Sequence, residues 1–223
     1  MKKITILLLM LPLLLLGQSN IRLSNGSVLS VLKANYNPAS YAPTTSISGH
    51  DQILCELQNN VSTDTLQAYL EKLASFSTRN TWSDTSSGTR GIGAARRWVH
   101  QKFVQYGSRN ENRLLPAYLV FDVTGNVCGD LYGTKNVLGV LPGRDTTHHD
   151  ILIIEGHMDS RCAGRCDTSC AAPGVEDNGS GTALVMELAR LMSRYHFDRT
   201  IVFMATTGRA GPIGCRGHGT VCH

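Results

Sequence analysis

Apolar residues recur at helical spacing in three stretches of this chain. In 62–76, Leu66, Leu70 and Leu73 fall on one face, and Ser62 stands where an N-cap belongs. In 92–106, Ile92, Ala95, Val99 and Phe103 repeat the spacing. In 182–195, Leu184, Leu188 and Leu191 form a strong stripe flanked by Val185 and Met192. Four shorter runs, 116–123, 136–141, 151–155 and 200–205, read as strands. The first two are expected to form a hairpin across Gly125-Asn126 and Tyr132-Gly133, and Pro142-Gly143 ends the second. Ile151-Leu152-Ile153-Ile154 is apolar at every position, the pattern of a buried strand. A strand, a long helix and another strand over 151–205 predict parallel neighbours joined by a crossover. The strand at 200–205 is expected to leave a sheet edge. Residues 20–49, rich in Ser, Asn, Pro and Thr, read as irregular.

Composition narrows the picture. The 223 residues suffice for one sizeable core. The net charge of +4 comes from scattered basic residues, which excludes a nucleic-acid patch. Met1-Lys2-Lys3 followed by the apolar 4–16 has the form of a signal peptide over 1–19, too short for a comfortable membrane span. The mature protein is therefore expected to be secreted or periplasmic, with no membrane partner after cleavage. Export makes disulfides the favoured reading of Cys55, Cys128, Cys162, Cys166, Cys170, Cys215 and Cys222, one of which stays unpaired. Cys162, Cys166 and Cys170 recur every four residues, which leaves a metal knuckle open but lacks the usual Cys-x-x-Cys. The pairing stays undetermined.

Candidate chemistry concentrates after the Ile/Leu run. His157 and Asp159 stand at the carboxyl end of that strand, where ligands gather in open α/β sheets. Asp177 sits among glycines just before the long helix. Imidazole and carboxylate together suit Zn²⁺, and His-x-Asp spacing lets Asp159 fix the ring of His157. His148-His149 read as surface residues, and His100 and His196 have no partner in the sequence.

The text around these residues is more specific. Ser77-Thr78-Arg79, 91–96, 136–143, Gly156-His157-Met158-Asp159-Ser160, 172–181 and 203–208 occur in order, and together they resemble the family-28 zinc metallopeptidases, the group of bacterial co-catalytic aminopeptidases. The resemblance covers about 65–208. It implies a three-layer α/β fold, with a mostly parallel or mixed central sheet between helices and incomplete at its C-terminus, here a partial zinc-peptidase domain over 50–207. It implies His157 as a zinc ligand, Asp177 as a carboxylate bridging two zinc ions, Asp159 as the group orienting His157, and a cis peptide at Asp177-Asn178. The substrate would be a peptide and the reaction removal of N-terminal residues.

The chain departs from that pattern after Gly208. Two adjacent Glu, a general base and a zinc ligand, are expected there; Arg209-Ala210 occupies the place. The general base is thus missing, at most one zinc is expected, and 208–223 reads as an aberrant tail, truncated and out of frame from about codon 209. The expected product is inactive. Three alternatives stay open: a glutaminyl-cyclase-like or carboxypeptidase relative on the same architecture, a degenerate binding domain, and a one-metal site completed by His218 or His223.

Overall fold

The computed structural model describes residues 20–45, 47, 49–148 and 150–207. The expected signal peptide over 1–19, the tail over 208–223 and the candidate ligands His218 and His223 lie outside these residues.

Among the described residues five strands form one sheet: β1 (Arg22–Leu23), β2 (Leu115–Val123), β3 (Leu131–Leu141), β4 (Ile151–His157) and β5 (Thr200–Thr206), in the order β1-β2-β3-β5-β4. The sheet is mixed: β4 and β5 run parallel, and the other three pairings are antiparallel. The hairpin expected between the second and third strands is present, with Leu115 opposite Val140 and a register irregularity between Phe121 and Val123.

Among the described residues five α-helices accompany the sheet: α1 (Gly26–Leu32), α2 (His50–Asn60), α3 (Thr63–Ala74), α4 (Gly91–Arg109) and α5 (Ser180–Met192). Alternate residues of β3 and β5 serve opposite faces, as strand geometry requires. Val137, Leu141, Ile201, Phe203 and Ala205 pack with α4 and α5 through Ile92, Val99, Phe103, Val185 and Met186. Leu138, Val140 and Val202 meet Val28 and Val31 of α1 on the other face. Helices on both sides of a sheet make the three layers expected. Ser62 caps α3 by accepting from the Thr65 amide at 3.1 Å, as its position predicted.

Three expectations need correction. First, 20–49 holds regular pieces among its described residues. Asn25 caps α1 by accepting from the Ser27 amide, and β1 adds to the sheet opposite Leu119 and Val120. The short pieces fold because they dock on a formed sheet, and no local periodicity announces that. Second, 151–154 is not a buried strand. Ile151, Leu152 and Ile153 are 38%, 51% and 55% exposed. Third, the edge is β4 and not β5, because β3 folds back to pair with β5 from Val137 to Leu141. The apolar run thus lies on the edge strand of the described sheet.

Candidate functional site

The site forms where β4 ends and α5 begins. Two close approaches place it. A Cβ on Gly156 would lie 2.6 Å from the Gly181 carbonyl carbon, so the strand end and the helix start touch through bare backbone. Gly174 adopts φ 44°, a left-handed turn that carries the chain from the loop into the turn over Val175–Gly179. The Asp177-Asn178 peptide within that turn is cis.

These constraints bring together all three residues singled out in the sequence. The Nδ1 of His157 lies 3.1 Å from Asp159 Oδ1, and its Nε2 lies 3.0 Å from Asp177 Oδ1. Asp159 therefore holds one side of the ring and Asp177 faces the other. Hydrogen bonding to Asp159 raises the pKa of His157; burial opposes the shift, and the charges of Asp159 and Asp177 add to it. Asp159 also accepts from the Thr81 hydroxyl at 3.5 Å.

The donor set fits a zinc ion. With zinc–nitrogen and zinc–oxygen distances near 2.0–2.2 Å, two tetrahedral ligands stand about 3.4 Å apart. The Nε2 and Oδ1 atoms are within a few tenths of an ångström of that separation. The carboxylate on Nδ1 leaves Nε2 as the ring's coordinating atom, the usual arrangement at metal-bound histidines.

One residue with a clear structural part here was only a motif letter in the sequence. Arg79 is fully buried, and its guanidinium donates to four backbone carbonyls: Met158 at 2.7 Å, Leu73 at 2.8 Å, Pro173 at 2.7 Å and Gly174 at 3.0 Å. It joins the end of β4 to the loop that delivers Asp177. The Ser160 hydroxyl reinforces the junction, accepting from the Arg79 amide and donating to the Ala172 carbonyl. Burial lowers the pKa of Arg79 to about 10, and the charge of Asp159 counters the shift. All four acceptors are backbone atoms, which leave no trace in a sequence.

The cysteines between the site's two halves form disulfides. Cys128 bonds Cys166, and Cys162 bonds Cys170. Cys162, Asp167 and Cys170 stand close enough to share an ion, but a disulfide offers no thiolate, so a metal knuckle does not fit. Among the described residues Cys55 is free and exposed; Cys215 and Cys222 lie outside them. No helix among the described residues is long and apolar enough to cross a membrane. His100 stacks on the Tyr118 ring at 4.4 Å, and burial lowers the pKa values of His100 and His196. Neither joins the cluster.

Known proteins resemble this chain in sequence and in fold. A probable zinc metalloprotease of Pyrenophora teres f. teres is 35% identical over 161 residues, covering 71% of this chain and 34% of that protein. The chain thus spans about a third of the length of the curated relatives it matches. The crystal structure of the Legionella pneumophila LapA aminopeptidase superposes with a TM-score of 0.55 at 22% identity, over 74% of this chain and 38% of that one. A Bacteroides thetaiotaomicron glutaminyl cyclase superposes with a TM-score of 0.51 at 16% identity, over 71% and 51%. At those identities the likeness is one of fold. Residues 136–209, which include His157, Asp159 and Asp177, match peptidase family M28. Over those residues the chain belongs to that family.

Proposed function

We propose that this chain is the metal-binding portion of an exported zinc exopeptidase of aminopeptidase type. His157 and Asp177 hold zinc, and Asp159 holds His157. The observation that carries the reading is the pair of contacts on one imidazole: Asp159 at Nδ1, and Asp177 3.0 Å from Nε2. The metalloprotease name of the curated relatives points the same way. A bound zinc would supply Lewis acidity and a water that ionises near neutral pH. The chain's own residues supply the holding geometry: Asp159 fixes the ring, Arg79 fixes the loop, and the carboxylate of Asp177 offsets the cation's charge.

The substrate class is a peptide with a free N-terminus. Arg209-Ala210 stands where the resemblance calls for a general-base Glu and a ligand Glu, so this chain binds zinc without turning peptides over. The signal-peptide pattern over 1–19 supports a location outside the cytoplasm. Resequencing the gene downstream of codon 207 tests whether the residues after Gly208 are read in frame.

The direct test is elemental mass spectrometry on the purified chain. About one zinc per chain is expected, falling to background in His157→Ala and Asp177→Ala. Equal zinc in the wild type and both variants would end the reading. A glutaminyl-cyclase activity is the second reading, favoured by the shared fold. Supplying an aminoacyl amide and an N-terminal glutaminyl peptide to a complete relative separates the two.

A further inference from the structure

Beside the metal-site cluster lies a cavity of about 300 Å³ lined by none of its three residues. Arg96 and Arg97 of α4 line it, facing Tyr118 of β2 and Lys135 of β3, with Thr81 at one side. Three cationic side chains converge there, and among the described residues no carboxylate lines the cavity. Arg96 is 5% exposed, yet its only hydrogen bond to a described side chain is from Nε to the Thr207 hydroxyl at 3.3 Å. Its Nη2 is buried with no acceptor among the described residues. A buried guanidinium donor left unpaired loses its hydration without a replacement, so such groups are ordinarily satisfied.

Among the described residues Arg96, Arg97 and Lys135 form no ion pair within 4 Å. Arg97 donates to the Thr85 and Ser87 carbonyls, which hold the guanidinium in place without cancelling it. The Lys135 ammonium stands 5.2 Å from the Tyr118 ring centre. Asp159 acts on Arg96 electrostatically from the metal-site side, across Thr81. A planar guanidinium with an unused donor, as on Arg96, matches the geometry of carboxylate and phosphate oxygens.

We propose that this cavity binds a small oxyanion, a carboxylate or a phosphate, with Arg96 as its buried anchor and Arg97 and Lys135 as its flanking charges. The site is separate from the zinc ligands and stands whether or not zinc binds. A phosphate ion or the terminal carboxylate of a short peptide fits the volume and the charge. Thr81 touches both the cavity and Asp159, so an anion held there sits next to the residue that orients His157.

Isothermal titration at constant ionic strength tests this, with sodium chloride as the control salt. The probes are inorganic phosphate, the dipeptide Ala-Ala and its C-terminal amide. Saturable binding of phosphate, or of Ala-Ala and not its amide, at one site per chain is the expected result, and the probe that binds identifies the source of the oxyanion. Arg96→Gln should weaken binding at least tenfold. Lys135→Glu, an exposed change that leaves the core intact, should weaken it similarly and decides the matter if Arg96→Gln does not fold. Asp177→Ala should leave it unchanged, which separates this site from anion binding at zinc. No saturable binding, binding indifferent to Lys135→Glu, or binding abolished by Asp177→Ala would overturn the proposal.

Discussion

Arg79 organises the site through backbone carbonyls on either side of it. Its four carbonyl acceptors lie in three separate segments, so a side chain with one donating atom cannot replace it. Arg79→Lys should cost about 2–4 kcal/mol and lower the zinc content of the purified chain. Urea unfolding with zinc quantification checks both; an unchanged midpoint would show the four bonds to be dispensable. Gly156→Ala makes a related claim about backbone approach. Its Cβ would push the start of α5 away from β4, separating Asp177 from His157. A loss of about 1–3 kcal/mol is expected, together with zinc, by the same two measurements. Much of this site was legible from residues alone: His157, Asp159 and Asp177 are polar groups at the ends of strongly patterned elements. Arg79 was not, because its role is defined by backbone atoms drawn from 73, 158, 173 and 174.

Among the elements, β4 carries the main liability. Its four leading apolar residues read as a buried strand, yet three are more than a third exposed and the strand pairs with β5 alone among the described residues. An exposed apolar edge offers unpaired N–H and C=O groups to another chain. Ile153→Lys places a charge on this edge, 55% exposed in the native residue, and should slow aggregation of the purified chain while leaving its circular dichroism intact. Light scattering during incubation at 37 °C is the measurement, and equal scattering by both proteins would refute it. The helices were easier to read. Ser62 and the Leu66-Leu70-Leu73 face announced α3, and Ile92-Ala95-Val99-Phe103 announced α4. The short α1 and the polar α2 went unread, since α1 gains its stability by docking on the sheet and α2 buries no residue.

Across the whole molecule, the Cys128–Cys166 disulfide ties the hairpin turn between β2 and β3 to the loop between Asp159 and Asp177. Asn80 supports that loop, donating from its side chain to the Arg165 and Asp167 carbonyls. The bridge spans 38 residues, and closing a loop of that length in the unfolded chain stabilises the fold by about 4 kcal/mol on the chain-entropy account. Replacing both cysteines by serine should remove a stabilisation of that size. Guanidinium unfolding of the double variant under oxidising conditions checks it; a shift under about 1 kcal/mol would mean that the loop is ordered by its other contacts.

The amino-acid sequence by itself determined where the main helices and strands lie, and which imidazole and carboxylates stand at their ends. Periodicity, caps and strand-end motifs are local properties, written within a few residues. Tertiary structure alone decided which strand lies at the edge, which cysteines pair, how Arg79 spans three segments, and that Arg96, Arg97 and Lys135 converge on one cavity. Each of those depends on distances between residues far apart in the chain, which are set only when the hairpin folds back onto β5 and the helices close over the sheet.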